Sequence, residues 1–339
     1  MRVLFGTYGD AESGEKGGIF QSVLDNSGKL TPPECLVRCD NPSYLAWGRD
    51  RRTLYATQEH LDPERAGVAA FSVDENGALT LMNQATVGGY GCCHIAVSPN
   101  ADQLATAQYN SGHVSLFELG EKGEIGTRRF ASAASGQGTH PIRQEGSHAH
   151  FVAFLSEPEQ LIALDFGLDQ MRIYGAEGDQ FEVLQFPSGT GPRHLVPSAD
   201  GAELFVYGEL EESVFRVRRT NGRFEILSQT PVFAPPTDED GAGSAIRLSP
   251  CGKYLYVASR VENQLACVAI APDKLEVQGK VSCSGHHPRD FELSSCGGFV
   301  VVANQLSNQV AVMKRDQTNG ALSAPHTTLK LPRVACVLF

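Results

Sequence analysis

The chain has 339 residues, 41% hydrophobic and 20% charged, with 35 glycines and 18 prolines. This is the profile of a folded protein with a sizeable core and many turns, neither disordered nor collagen-like. With 28 Lys and Arg against 39 Asp and Glu the formal net charge is -11, which argues against nucleic acid and acidic membrane surfaces as partners.

The opening MRVLFGTYGDA holds only a short apolar run, far from a signal-peptide core. No later stretch approaches the roughly 20 apolar residues of a membrane span, so cytoplasm is the expected compartment. The cysteines number nine, an odd count, mostly in apolar runs such as CVAI and VACVLF. That fits reduced thiols better than a disulfide framework.

Read in chain order, one plan repeats. NPSYLAWGRDRRTLYATQE followed by GVAAFSVDENGAL returns as CCHIAVSPNADQLATAQY with HVSLFELGEKGEI, then as HAHFVAFLSEPEQLIALDF with QMRIYGAEGDQF. It recurs from GPRHLVPSADGAELFVYGE, from GSAIRLSPCGKYLYVASR and from HPRDFELSSCGGFVVVANQ. The N-terminal VLFGTY and GIFQSVLDNSGKL match the plan without its first strand. The terminal apolar residue of each unit falls at Leu30, Leu79, Ile125, Phe181, Phe224, Leu275 and Leu322, spaced by 43 to 56 residues.

Seven units of short runs divided by turn signals, with no helical period, predict an all-β, seven-bladed β-propeller. The unit lacking a first strand is expected to borrow one from the C-terminal LPRVACVLF, pairing the two ends of the chain in one blade of a single domain over 1–339.

In each blade the innermost strand leaves one rim and the next, antiparallel, returns to it. First-strand starts at Cys93-His94, Ala149-His150, Arg193-His194 and Arg289-Asp290 should therefore share a face with second-strand ends at Glu59, Tyr109, Asp165, Glu209 and Arg260. His94, His150, His194, Arg193, Arg289, Arg260, Glu59 and Glu209 would line one cleft, a basic concentration on an acidic protein that suits a small anion. The alternative for each is a solvated rim charge or a structural ion pair, with Asp165 or Glu59 as the neutralising group.

The insertion GQGTHPIRQEGSHAH reads as a flap with Arg143 and Gln144 facing ligand. His148 and His150, two apart, would share a strand face; they form a weak metal pair with no third ligand at fitting spacing. Cys92-Cys93 beside His94 lacks a placed base for nucleophilic catalysis. G-x-S-x-G, P-loop and dinucleotide motifs are absent, so no metal and no organic cofactor is expected.

NPSYLA, the run from Gly88 to His94, RQEGSHAH, DFGLDQ, GPRH followed by Gly208-Glu209, and HPRDF followed by VVANQ together resemble the seven-bladed lactonase family. That family includes propeller-type 6-phosphogluconolactonase and the fungal 3-carboxy-cis,cis-muconate lactonizing enzyme. The resemblance implies an active-site His at His150, with His148 its competitor, an Arg at Arg193, an acid at Glu209, and a further Arg at Arg260 or Arg289. One departure is His286-His287 where the family has Gly-Lys.

Lactone hydrolysis needs an activated water, a holder of developing negative charge and recognition of an anionic substituent. Glu209 is the expected base, His150 the proton or hydrogen-bond donor and Arg193 the oxyanion or anion partner. Arg260 and Arg289 are the expected clamps, supported by His194. A small anionic lactone is the expected substrate, for a monomer or weak homodimer. The alternatives are a cycloisomerase closing a carboxylated muconate, and a non-enzymatic interaction platform.

Overall fold

Short runs such as ELFVYG and FVVVAN are apolar at nearly every position, which suits strands covered on both faces. In a computed structural model describing residues 1–9, 13–156, 159–175, 178–235 and 242–339, Glu203–Gly208 and Phe299–Asn304 are strands buried along their whole length. Outermost strands such as Arg223–Pro231 alternate with solvent instead. No helix occurs among the described residues.

Seven four-stranded antiparallel sheets follow one another along the chain. Six take their strands in sequence order and span 45–86, 92–133, 149–185, 192–231, 243–282 and 288–330. The seventh places Val334–Leu338 beside Arg2–Thr7, then Gly18–Val23 and Glu34–Arg38. This is the seven-bladed β-propeller that the repeat predicts, with its N- and C-terminal strands paired in one sheet.

The described residues group into two compact units: Gly6–Ile19 with Cys35–Gly189, and Met1–Phe5 with Phe20–Glu34 and Thr190–Phe339. Within the first, apolar residues such as Tyr55, Val68, Ile95 and Phe117 form a core between the sheets 45–86 and 92–133. Within the second, Phe205, Tyr207, Ile246 and Val257 do the same between 192–231 and 243–282.

The repeated turn before each outermost strand has a physical cause. Asp74 Oδ1 accepts the N–H groups of Asn76 and Ala78 at 2.9 and 2.8 Å, and Gly77 takes φ 84°, a conformation open to glycine at little cost. Leu79, Ile125 and Leu275, the residues used to count units, each open an outermost strand.

A second recurring device was invisible in the sequence. Pro192 pairs with Gly208 but His194 with Tyr207, so Arg193 is an extra residue on its strand. Cys93, His150 and Arg289 are extra in the same way at the starts of their own strands. Such bulges re-aim a side chain out of the pleat. The regular alternation from which His148 and His150 were expected to share a strand face is interrupted: the bulge intervenes, and His148 precedes the strand Ala149–Ser156, yet both rings lie against Tyr109.

Candidate active site

The second unit holds the most concentrated charge. Glu209 follows the strand Glu203–Gly208 and is 1% exposed, Arg193 2%. Arg193 Nε lies 2.9 Å from Glu209 Oε2, and Arg260 Nη2 lies 2.7 Å from Oε1. Both carboxylate oxygens are thus engaged by guanidinium groups. Arg193 Nη1 also donates to the Ser244 carbonyl at 2.6 Å and meets His194 Nε2 at 3.2 Å. Gly243 permits this closeness: a Cβ there would meet Glu209 Cα at 3.0 Å and Tyr207 Cε1 at 2.9 Å.

His287 stands in the same field. Burial first, then the charges of Arg260, Arg289 and Arg193, push its imidazole down to about 3, against the opposing pull of Glu209. The two arginines that the sequence left open are distinguished by their partners. Arg260 bonds Glu209 directly, while Arg289 acts on His287 through its charge.

The first unit holds the histidines of the insertion. His148 Nδ1 lies 2.8 Å from the Tyr109 carbonyl, which can only accept, so this nitrogen carries the proton. Its Nε2 faces Glu145 Oε2 at 3.2 Å, and the ring stacks on Tyr109 with centroids 4.5 Å apart. Burial opposes the Glu145 charge, yet its own backbone N–H, His148 and Arg143 hold the carboxyl below the ordinary range. His148 thus has the Tyr109 carbonyl on one nitrogen and the Glu145 carboxylate near the other. His150 meets the Tyr109 ring edge-on at 5.5 Å.

Several expectations change here. Gln144 does not face a ligand: it is fully buried, accepts the N–H groups of Thr139 and His140, and donates to Phe166 and Asp169. It pins the insertion. Arg143 donates to Tyr109 Oη at 3.3 and 3.2 Å and lies 4.9 Å over Phe166. His94 is 3% exposed between the rings of Tyr44 and Phe151, at 4.0 and 4.1 Å, and accepts the Val152 N–H. Glu59 accepts a 2.6 Å hydrogen bond from Tyr8. Asp165 pairs at 2.8 Å with Arg172 of the strand Gln170–Tyr174, not with an arginine of the expected cleft, and it also accepts the N–H groups of His148, Gly167 and Leu168.

All nine cysteines are free thiols. Among the described residues no three His, Cys, Asp or Glu gather as metal ligands, and no helix is long and apolar enough to cross a membrane.

The model of the lactonase family with the 7-bladed β-propeller matches residues 2–339. The chain belongs to this lactonase family. Among relatives of this lactonase-family chain, the 6-phosphogluconolactonase of Bacillus subtilis is 29% identical, covering 100% of this chain and 99% of its own. The solved periplasmic gluconolactonase of Pseudomonas aeruginosa superposes with a TM-score of 0.90 at 27% identity, over 100% of this chain and 98% of that one. A solved protein from Lactobacillus plantarum gives 0.88 at 31% identity, over 99% and 98%.

Sequence reasoning named Arg193, Glu209 and Arg260 from the ends of antiparallel strands. It treated His287 only as a departure from a family pattern.

Proposed function

We propose that this lactonase-family protein hydrolyses a small anionic sugar lactone, a phosphorylated aldonolactone foremost, at the cluster of Arg193, Glu209 and Arg260. The observation that carries the reading is one nearly fully buried carboxylate bridging two guanidinium groups, with the charge of Arg289 nearby. Arg193, Arg260 and Arg289 gather about Glu209; the Glu212 carboxyl nearby is pushed up to about 7 and Asp290 has its own partner in Arg247, which leaves a local positive excess in a chain whose net charge is -11. Such a site attracts an anion against the field of the whole molecule. The names of the Bacillus and Pseudomonas relatives agree with a sugar lactone as substrate.

Water attacks the lactone carbonyl, and the tetrahedral oxyanion accepts hydrogen bonds from Arg193. Arg193 is bulged from its strand and anchored on Ser244, so little reorganisation is needed. Glu209 cannot take the proton of water while both its oxygens are engaged. The substrate anion draws Arg260 away and frees Oε1 as the base. Collapse breaks the bond between carbonyl carbon and ring oxygen; the ring oxygen takes the proton that Glu209 removed from water and becomes a hydroxyl, and the hydroxy acid leaves as its carboxylate, its own proton passing to solvent.

The test is a panel of sugar and muconate lactones followed by NMR, with Glu209→Gln beside the wild type. Hydrolysis of a sugar lactone, with the rate constant falling 10²–10⁴-fold in the variant while product affinity changes little, is the expected result. Formation of an unsaturated diacid would replace hydrolysis by cycloisomerisation, and turnover of neither class would make the chain a binding platform. Normal turnover by a folded Glu209→Gln would reduce the cluster to a structural ion-pair network.

A further inference from the structure

Arg315 is a buried charge that no carboxylate serves. It is 6% exposed. Its Nε donates to Tyr256 Oη and its Nη1 to the Gly297 carbonyl, the latter at 3.1 Å. Neither acceptor is an anion: burial keeps Tyr256 a neutral phenol, whose own O–H donates to the Gly320 carbonyl at 2.7 Å. Among the described residues no Asp or Glu pairs with Arg315. Asp316, next in the chain, is exposed and directs Oδ1 to the Thr318 N–H at 2.8 Å. A guanidinium does not give up its proton, so burying one calls for a negative partner. The remaining hydrogen bond of Arg315 points to it: Nη2 lies 3.7 Å from Cys251 Sγ.

The repeat marks the same position. Between the first two strands of one blade, Ser198 Oγ accepts the Glu203 N–H at 2.9 Å and donates to Asp200 Oδ1 at 2.6 Å. In the next blade Ser249 Oγ accepts the Tyr254 N–H at 3.0 Å and meets Cys251 Sγ at 3.3 Å. In the one after, Ser294 Oγ accepts the Phe299 N–H at 3.0 Å and meets Cys296 Sγ at 3.3 Å. Two thiols thus stand where the equivalent turn holds a carboxylate. Both are exposed, yet among the described residues only the first of them meets a guanidinium. Arg315 follows the strand Gln309–Lys314 of the sheet 288–330 and reaches across to the turn of the sheet 243–282.

We propose that Cys251 is a covalent modification site, a thiolate held by Arg315 and Ser249 that takes up a small aliphatic disulfide by exchange. Its sulfur attacks one sulfur of the reagent, the S–S bond there breaks as the new one forms, and the expelled thiolate takes a proton from solvent. Cys251 is oxidised and the departing half of the reagent is reduced, so no further oxidant is needed. Burial opposes the charge, yet the Ser249 hydroxyl, the Lys253 N–H and Arg315 hold the thiol below the ordinary range. Elsewhere burial pushes Cys39 up to about 12 and raises Cys92 and Cys267 as well. Arg315 is the charge facing the sulfur, with Lys253 on its own turn and Asp316 beyond Arg315 both exposed. The site stands apart from the proposed hydrolysis, since Cys251 precedes the strand Tyr254–Ser259 and Arg260 follows it.

The test incubates the full chain with glutathione disulfide, quenches with acid and maps the adducts by mass spectrometry. A tenfold larger thiolate fraction is offset by roughly threefold lower nucleophilicity. Cys251 should therefore gain the adduct about threefold faster than exposed Cys35 at pH 7, with Cys296 between them, and its rate should level off at a lower pH than that of Cys35. Arg315→Gln should bring Cys251 down to the rate of Cys296, with Cys35 unchanged and buried Cys267 still unmodified, which reports an intact fold. Cys251→Asp keeps the test sharp if that variant unfolds, because it sets the carboxylate of the Asp200 turn beside Arg315. It should take no adduct on that turn and melt at the wild-type temperature or higher, whereas the wild-type adduct, its sulfur neutral, should melt a few degrees lower. Equal rates and coincident pH profiles for Cys251 and Cys35, or a lower melting temperature for Cys251→Asp, overturn the proposal.

Discussion

A carboxylate held between two arginines is stable because each charge has a partner, and the same feature makes it slow to act as a base. Glu209 is such a group. Three residues along the chain, Glu212 shows the opposite condition. It is fully buried with φ 48°, and Tyr207 donates to its Oε1 at 3.2 Å. Burial pushes its carboxyl up to about 7, against the lowering effect of Ser259 and Tyr207. The folded pKa lies above the unfolded one, so this stability is complete below the ordinary glutamate value and is lost as pH rises through about 7. A shift of this size corresponds to roughly 2–4 kcal/mol. Glu212→Gln should therefore flatten the fall in melting temperature between pH 4.5 and 8 while changing little at pH 4. Parallel curves for the two proteins would show that Glu212 does not titrate in this range.

At the scale of elements, the hairpin turn and the bulge divide what the sequence discloses from what it hides. Turns built on Asp74 and Gly77 repeat as residue types, so the blades and their order were legible, as were strand ends carrying Arg193, Glu209 and Arg260. A bulge is a relation between two strands. Nothing in PRHLVP marks Arg193 as the extra residue, and simple alternation missed the bulge between His148 and His150 for the same reason. The buried setting of His94 and the inward pinning of Gln144 were hidden likewise, because each depends on partners from other strands. Past its bulge, the strand Pro288–Leu293 carries Asp290, which pairs with Arg247 at 2.8 Å and accepts the Val337 N–H at 3.0 Å. Burial raises the Asp290 pKa, although Arg247 and that N–H favour its charge. Asp290→Ala takes a carboxylate from Arg247 and orphans the amide of Val337, at a cost of roughly 2–4 kcal/mol. Asp290→Asn keeps an acceptor and should lose less. Amide exchange at Val337 is the direct measurement; unchanged protection in Asp290→Ala would remove Asp290 from any role in holding the last strand.

For the whole molecule, the decisive element is that last strand, Val334–Leu338, which lies beside the first strand of the chain and completes a sheet that the N-terminal residues begin. Val334, Ala335, Cys336 and Val337 are each at most 3% exposed. Val334 and Val337 share a core with Val3, Phe5, Val301, Val310 and Val312. Removing 334–339 uncovers those side chains and leaves Arg2–Thr7 with an open edge. The lost apolar burial alone is on the order of 5 kcal/mol, comparable with the entire stability of an ordinary domain. The truncated chain should therefore lose its cooperative thermal transition and bind a hydrophobic dye. A synthetic peptide of residues 331–339 added to it should restore part of the transition by supplying the missing strand. If the truncated chain melts cooperatively within a few degrees of the full one, the pairing of the two ends contributes little, and the stability of the fold resides in the other six sheets.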